Sequence, residues 1–271
     1  MGGGKRVIKA TSTLVPLMGV IYISVAFILT IMHINLVPGV VGRIFAEAFD
    51  FTAIFGGFAG SCMMFGIKRG LYSNEAGVGS APNAAAAADV SHPVKQGLVQ
   101  MLSVFIDTLL ICTATAFMCL SSGIEPTKEL AGAPYVQAAL AASMGDYAKL
   151  FITVSMVLFA FTTLLGNLYY VDNAFAYVLK HVPGKTFTLC YRILACVLIF
   201  IGAGSSMGTM WDLADVTMGF MAIINLPVIC ILGGPALRAL DDYTEQRDAG
   251  KNPEFKASKI GLTQKLDYWQ D

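Results

Sequence analysis

Leu14-Val15-Pro16-Leu17-Met18-Gly19-Val20-Ile21-Tyr22-Ile23-Ser24-Val25-Ala26-Phe27-Ile28-Leu29-Thr30-Ile31-Met32-His33 contains no Asp, Glu, Lys or Arg. At about 1.5 Å of rise per residue, a helix of this length crosses the roughly 30 Å hydrocarbon layer of a bilayer. Lys5, Arg6 and Lys9 precede the stretch, as basic residues precede a signal peptide. The apolar run, however, exceeds an h-region of roughly 7–15 residues, and no A-x-A site follows it. Met1-Gly2-Gly3-Gly4-Lys5-Arg6 also fails as a myristoylation start, because Arg6 stands where Ser or Thr is needed. The stretch reads as a membrane-spanning helix.

Five further runs of comparable length lie near 40–67, 97–120, 149–171, 186–204 and 213–233, giving six expected spans within residues 1–240. A bilayer offers no water to unpaired backbone groups, and the alternating pattern of barrel strands is absent, so the expected fold class is all-α. Composition agrees: 56% of residues are hydrophobic and 13% charged, against roughly 45–50% and 25% in soluble domains. Lys and Arg collect at alternate ends of the runs: Lys5, Arg6 and Lys9, then Lys68, Arg69 and Lys95, then Lys180 and Lys185, then Arg238, Arg247 and Lys251. By the positive-inside rule those ends, and with six spans both termini, are cytoplasmic. Residues 241–271 then form a solvated cytoplasmic tail.

Several function classes are disfavoured. Lys+Arg equals Asp+Glu, and no basic block offers a footprint for nucleic acid. There is no P-loop, no metal-ligand cluster and no nucleophile paired with a histidine, because His33, His92 and His181 lie at run edges or in loops. An enzyme is not expected. Cys62, Cys112, Cys119, Cys190, Cys196 and Cys230 all fall in apolar runs without C-x-x-C spacing and read as buried small hydrophobes.

Two interruptions and one charge stand out. Phe55-Gly56-Gly57-Phe58-Ala59-Gly60-Ser61 places three glycines near the middle of the second run. Glycine weakens a helix by about 1 kcal/mol relative to alanine, so a break lining a binding site and close helix packing through small residues are both open. Thr162 and Thr163, with Asn167 a turn further on, could offer oxygens to a hard cation. Intramembrane threonines also commonly bond the carbonyl one turn back, and spacing does not choose between these readings. Asp107 sits well inside the third run, where an ionisable group costs about 2.5 kcal/mol or more and faces a cavity or a partner. Arg192, Asp212 and Asp215 lie close enough to run ends for snorkelling or interfacial hydration to account for them.

The stretch Arg69-Gly70-Leu71-Tyr72-Ser73-Asn74-Glu75-Ala76-Gly77-Val78-Gly79-Ser80-Ala81-Pro82-Asn83, with His92-Pro93-Val94-Lys95-Gln96-Gly97 and Phe105-Ile106-Asp107-Thr108 after it, resembles the signature of the alanine or glycine:cation symporter family. The likeness extends from the glycine-rich second run to Asn225-Leu226-Pro227 in the last. It implies a leucine-transporter-type fold of ten core helices in two inverted repeats, with this chain supplying core helices five to ten. The expected activity is sodium-coupled symport of a small neutral amino acid, such as alanine or glycine, across the plasma membrane, with sodium as coupling ion and no other cofactor. On the same resemblance Gly56, Gly57, Phe58 and Cys62 border the substrate, and Thr162 and Thr163, with the Phe159 carbonyl, form a sodium site. Asn167 stands where many members carry Trp, which implies a roomier or more polar pocket. The 73–75 segment is expected at the cytoplasmic end, away from substrate. Two rival expectations remain open: an incomplete or split transporter inactive without the N-terminal helices, which a separate chain could supply, and a proton-coupled permease.

Overall fold

The structure is a computed structural model that describes residues 3–52, 54, 62–127, 130–262, 266 and 268–269, with side chains from residue 11 onward. In chain order the helices are α1 (Gly3–Met32), α2 (Val37–Ala48), α3 (Cys62–Asn74), α4 (Ala81–Ala85), α5 (Pro93–Phe105), α6 (Thr113–Leu120), α7 (Ala133–Met144), α8 (Asp146–Leu179), α9 (Lys185–Ala203) and α10 (Met207–Asp248). Between α5 and α6 the chain stays helical as a π-helix over Ile106–Cys112. The described residues contain no strand, as the all-α expectation requires.

Among the described residues, five helices are long and apolar enough to cross a membrane: Thr11–Met32, Pro93–Leu120, Asp146–Leu179, Lys185–Ala203 and Met207–Asp248. Each covers most or all of one expected run. The run at 40–67 differs. Its helix α2 ends at Ala48, and Asp50 starts a new helical turn: its Oδ1 accepts the Thr52 N–H at 3.0 Å and its carbonyl accepts the Ile54 N–H at 2.9 Å. A short polar side chain that can bond backbone amides is a natural helix start, so Asp50 divides a stretch whose hydropathy alone reads as continuous. The glycine-rich stretch that follows, with Gly56, Gly57 and Phe58, lies outside the described residues.

The chain forms two compact units, Met1–Asn74 with Phe105–Tyr169, and Glu75–Val104 with Tyr170–Asp271. In the first, Tyr22, Ala26 and Leu29 recur at helical spacing on one face of α1 and meet Met118 of α6, Leu140 of α7, and Ala148 and Ile152 of α8. The Tyr22 hydroxyl lies 2.8 Å from Thr115 Oγ1, so the one polar tip in this core is satisfied. Arg43 bonds Glu47 one turn away at 2.7 Å and Glu125 at 3.4 Å.

In the second unit, Arg192 of α9 pairs with Asp172 of α8 at 2.8 Å, and Tyr191 donates to the same carboxylate. Arg192 thus has a direct ion-pair partner on the neighbouring helix. Part of the chain after α10 is packed rather than solvated: Phe255, Ala257 and Ile260 are buried against Ala239. The cysteines depart from expectation as well. Cys119 is buried in protein, Cys112 is half-buried, and Cys62, Cys190, Cys196 and Cys230 are exposed. On long apolar helices such exposure is satisfied by lipid, so an apolar run does not imply a protein core.

Candidate functional site

The residues expected to bind sodium lie on α8 in the first unit. Thr162 is buried, and its hydroxyl sits 3.0 Å from both the Leu158 and the Phe159 carbonyl oxygens. It therefore makes the back-bond to the preceding turn, and that bond brings Thr162 Oγ1 and the Phe159 oxygen together. The Phe159 ring meets Tyr22 edge-on at 5.6 Å, which fixes this side of α8 against α1. Thr163 lies about 100° further round the helix and is exposed, as is Asn167 one turn later. The threonine pair is thus split between two faces, with Thr163 and Asn167 sharing the open one.

The donor set suits a hard cation. A back-bonded hydroxyl keeps its lone pairs, a carbonyl has a second one, and sodium favours such neutral oxygens. Cys62 begins α3, and its thiol lies 3.9 Å from Glu47 Oε2.

Asp107 has the partner that an intramembrane carboxylate calls for. Ser73 Oγ donates to Asp107 Oδ2 at 2.5 Å and lies 3.1 Å from Cys112 Sγ, while Asn74 Nδ2 donates to Thr108 Oγ1 at 2.8 Å. The end of α3 is therefore fastened to the π-helix. A π-helix leaves looser backbone bonding than an α-helix and often marks functional positions. Neither the π-helix nor the Ser73 and Asn74 partners were legible beforehand. The serine sits some thirty residues from Asp107 in sequence, and one inserted residue in a helical ladder leaves no hydropathy signature.

The signature stretch lies in the second unit from Glu75 onward. Gly77 and Gly79 have φ of +84° and +103°, values that side-chain-bearing residues rarely adopt. Asn225 of α10 donates to the Gly77 carbonyl at 3.0 Å, and a Cβ on Gly79 would come within 3.0 Å of the Asn225 side chain. Asn173 of α8 donates to the Asn83 carbonyl at 3.0 Å, and Ser80 donates to Glu75. Two asparagines from two long helices thus hold the signature stretch. Asn225 lies near the centre of the 213–233 run. A lone amide in an apolar run was the available signal.

Among the described residues no group of His, Cys, Asp and Glu could hold a metal ion. A family model described as the sodium:alanine symporter family matches residues 1–257. The chain is 43% identical over 270 residues to the amino-acid carrier protein AlsT of Bacillus subtilis, covering 100% of this chain and 57% of that protein. It is 41% identical over 268 residues to the probable sodium/glutamine symporter GlnT of the same organism, covering 99% and 55%. A sodium/proton-dependent alanine carrier protein of Bacillus sp. PS3 is 39% identical over 284 residues, covering 100% and 64%. The chain spans little more than half the length of the first two relatives.

Proposed function

The chain belongs to the sodium:alanine symporter family, and from that premise we propose that it forms part of a multi-pass transporter carrying a small neutral amino acid with sodium. The match over residues 1–257 carries this reading, and the five apolar helices support it. The transporter resides in the plasma membrane with the basic ends and both termini on the cytoplasmic side. Its six spans, counting 40–67, correspond to core helices five to ten of a leucine-transporter-type fold. Relatives nearly twice as long support a cavity completed by further helices.

In this reading sodium is held by the Phe159 carbonyl with Thr162 and Thr163, and the substrate by Gly56, Gly57, Phe58, Cys62 and Asn167. Sodium entering through 100 mV releases about 2.3 kcal/mol per charge, enough for roughly fifty-fold accumulation of a neutral substrate. Alternating access around the midplane lets ion and amino acid cross together. Asp107, on its π-helix, is a gating or ion-route residue whose carboxyl group is held in place by Ser73. Radiolabelled sodium should enter liposomes containing the protein when alanine is added outside. If entry does not depend on an amino acid, the coupling is wrong.

A second reading concerns specificity. One relative is named for glutamine and another for alanine, and Asn167 gives this chain a polar amide on the open face of α8. An amide there favours a substrate side chain that can hydrogen-bond, because one without a partner would leave the amide unpaired. Glutamine competing with labelled alanine at comparable concentration is the expected outcome.

A further inference from the structure

Residues 252–260, after α10, pack around a histidine with no exposed surface. His92 Nδ1 accepts the Val94 N–H at 3.2 Å, which places the ring proton on Nε2, 3.3 Å from Asp242 Oδ2. The ring stands edge-on to Tyr243 of α10 at 5.2 Å and to Phe255 at 5.1 Å between centroids. The docked segment makes backbone bonds around it. The Phe255 N–H donates to the Ser91 carbonyl at 3.0 Å, and Ser91 Oγ donates to the Pro253 carbonyl at 2.9 Å. Gln246 bonds both backbone groups of Glu254, and Arg238 bonds the Ile260 carbonyl at 2.9 Å. Trp269 donates to the Val90 carbonyl at 3.2 Å and meets Phe255 edge-on.

We propose that the segment Asn252 to Ile260, with Trp269, is a proton-released clasp: it holds the Val90 to Lys95 turn while His92 is neutral and lets go when His92 takes up a proton. A proton on Nδ1 would face the Val94 N–H, setting two donors against each other at a distance meant for a bond. The new charge would sit between two aromatic rings and out of water. The charged and titratable groups facing it are Asp242 and Tyr243 from α10, Lys95 from α5, and Lys259 from the turn Ala257–Ile260. Asp242 is already shared with Gln246 at 2.8 Å and Lys259 at 3.4 Å, and Lys95 is bound to Ser91 and Asn252. Burial therefore holds His92 below its ordinary value, with Asp242 acting against it and Lys95 and Lys259 reinforcing it. An undocked histidine titrates near about 6.5. Docking is thus fully present above that pH and weakens as pH falls below it, where only the undocked form binds the proton.

The sequence holds only Trp211 and Trp269, so Trp211→Phe leaves Trp269 as a reporter in the detergent-solubilised chain. Its emission should shift reversibly to the red between about pH 7.5 and about 5.5, with a midpoint at or below about 6.5. His92→Gln in the same background should remove the shift. A flat emission, or an equal shift in H92Q, would overturn the proposal. Should H92Q already be red at neutral pH, Asp242→Asn decides. Asn keeps an acceptor for Nε2 but removes the carboxylate that favours the protonated ring, so the midpoint should move to higher pH, and a midpoint unmoved or lowered contradicts the clasp.

Discussion

At Gly79 the backbone and a neighbour act together. Its φ is +103° and the Asn225 Cγ lies 3.0 Å from where a Cβ would sit, so Gly79→Ala should cost about 1–3 kcal/mol in thermal melts of the solubilised chain. Gly97→Ala, in α5 with open space around it, should leave stability unchanged or slightly raised. The two threonines on α8 should separate stability from ion dependence. Thr163→Val, on an exposed face, is expected within about 0.5 kcal/mol of wild type while it lowers apparent sodium affinity in uptake assays. Thr162→Val gives up a buried hydroxyl with two carbonyl neighbours and should lose about 1 kcal/mol. If Thr163→Val leaves sodium dependence unaltered, the threonine is not a ligand. Asn167→Trp should narrow accepted substrates toward alanine and glycine, and an unchanged competition profile would refute its place in the pocket.

Between elements, the joint between α3 and the π-helix rests on Ser73 and Asp107, with Asn74 and Thr108 beside them. Ser73→Ala should lower the melting stability by about 1 kcal/mol, while Asp107→Asn, which keeps an acceptor for the serine, should cost less. The reverse order would mean that the carboxylate's charge, and not the hydrogen bond, holds the joint. Element existence was legible where hydropathy was continuous: the runs at 14–33, 97–120, 149–171, 186–204 and 213–233 all became helices, since lipid permits little else. Boundaries set by single side chains were not. Asp50 cutting the 40–67 run, and the π-helix inside an unbroken apolar stretch, depend on local bonding that a hydropathy window averages away. The contacts of the signature stretch were equally hidden, because Asn173 and Asn225 reach it from far along the chain.

For the whole molecule, the family was legible because the residues of the 69–108 signature match densely, and the structure places Gly77 and Gly79 of that run at positive φ, with Asn225 bonded to the Gly77 carbonyl. The candidate binding residues were legible only as a set. The structure joins Thr162 to Phe159, turns Thr163 and Asn167 to another face, and leaves Gly56, Gly57 and Phe58 outside the described residues. The polar composition after α10 predicts a solvated tail, yet Phe255, Ala257 and Ile260 suffice to pack part of it against Ala239. The central claim is sodium-coupled uptake, and the direct measurement is labelled alanine entering liposomes that contain the protein, with external sodium replaced by choline. The account predicts that accumulation collapses in choline and returns with sodium; uptake that is equal in both salts would contradict it.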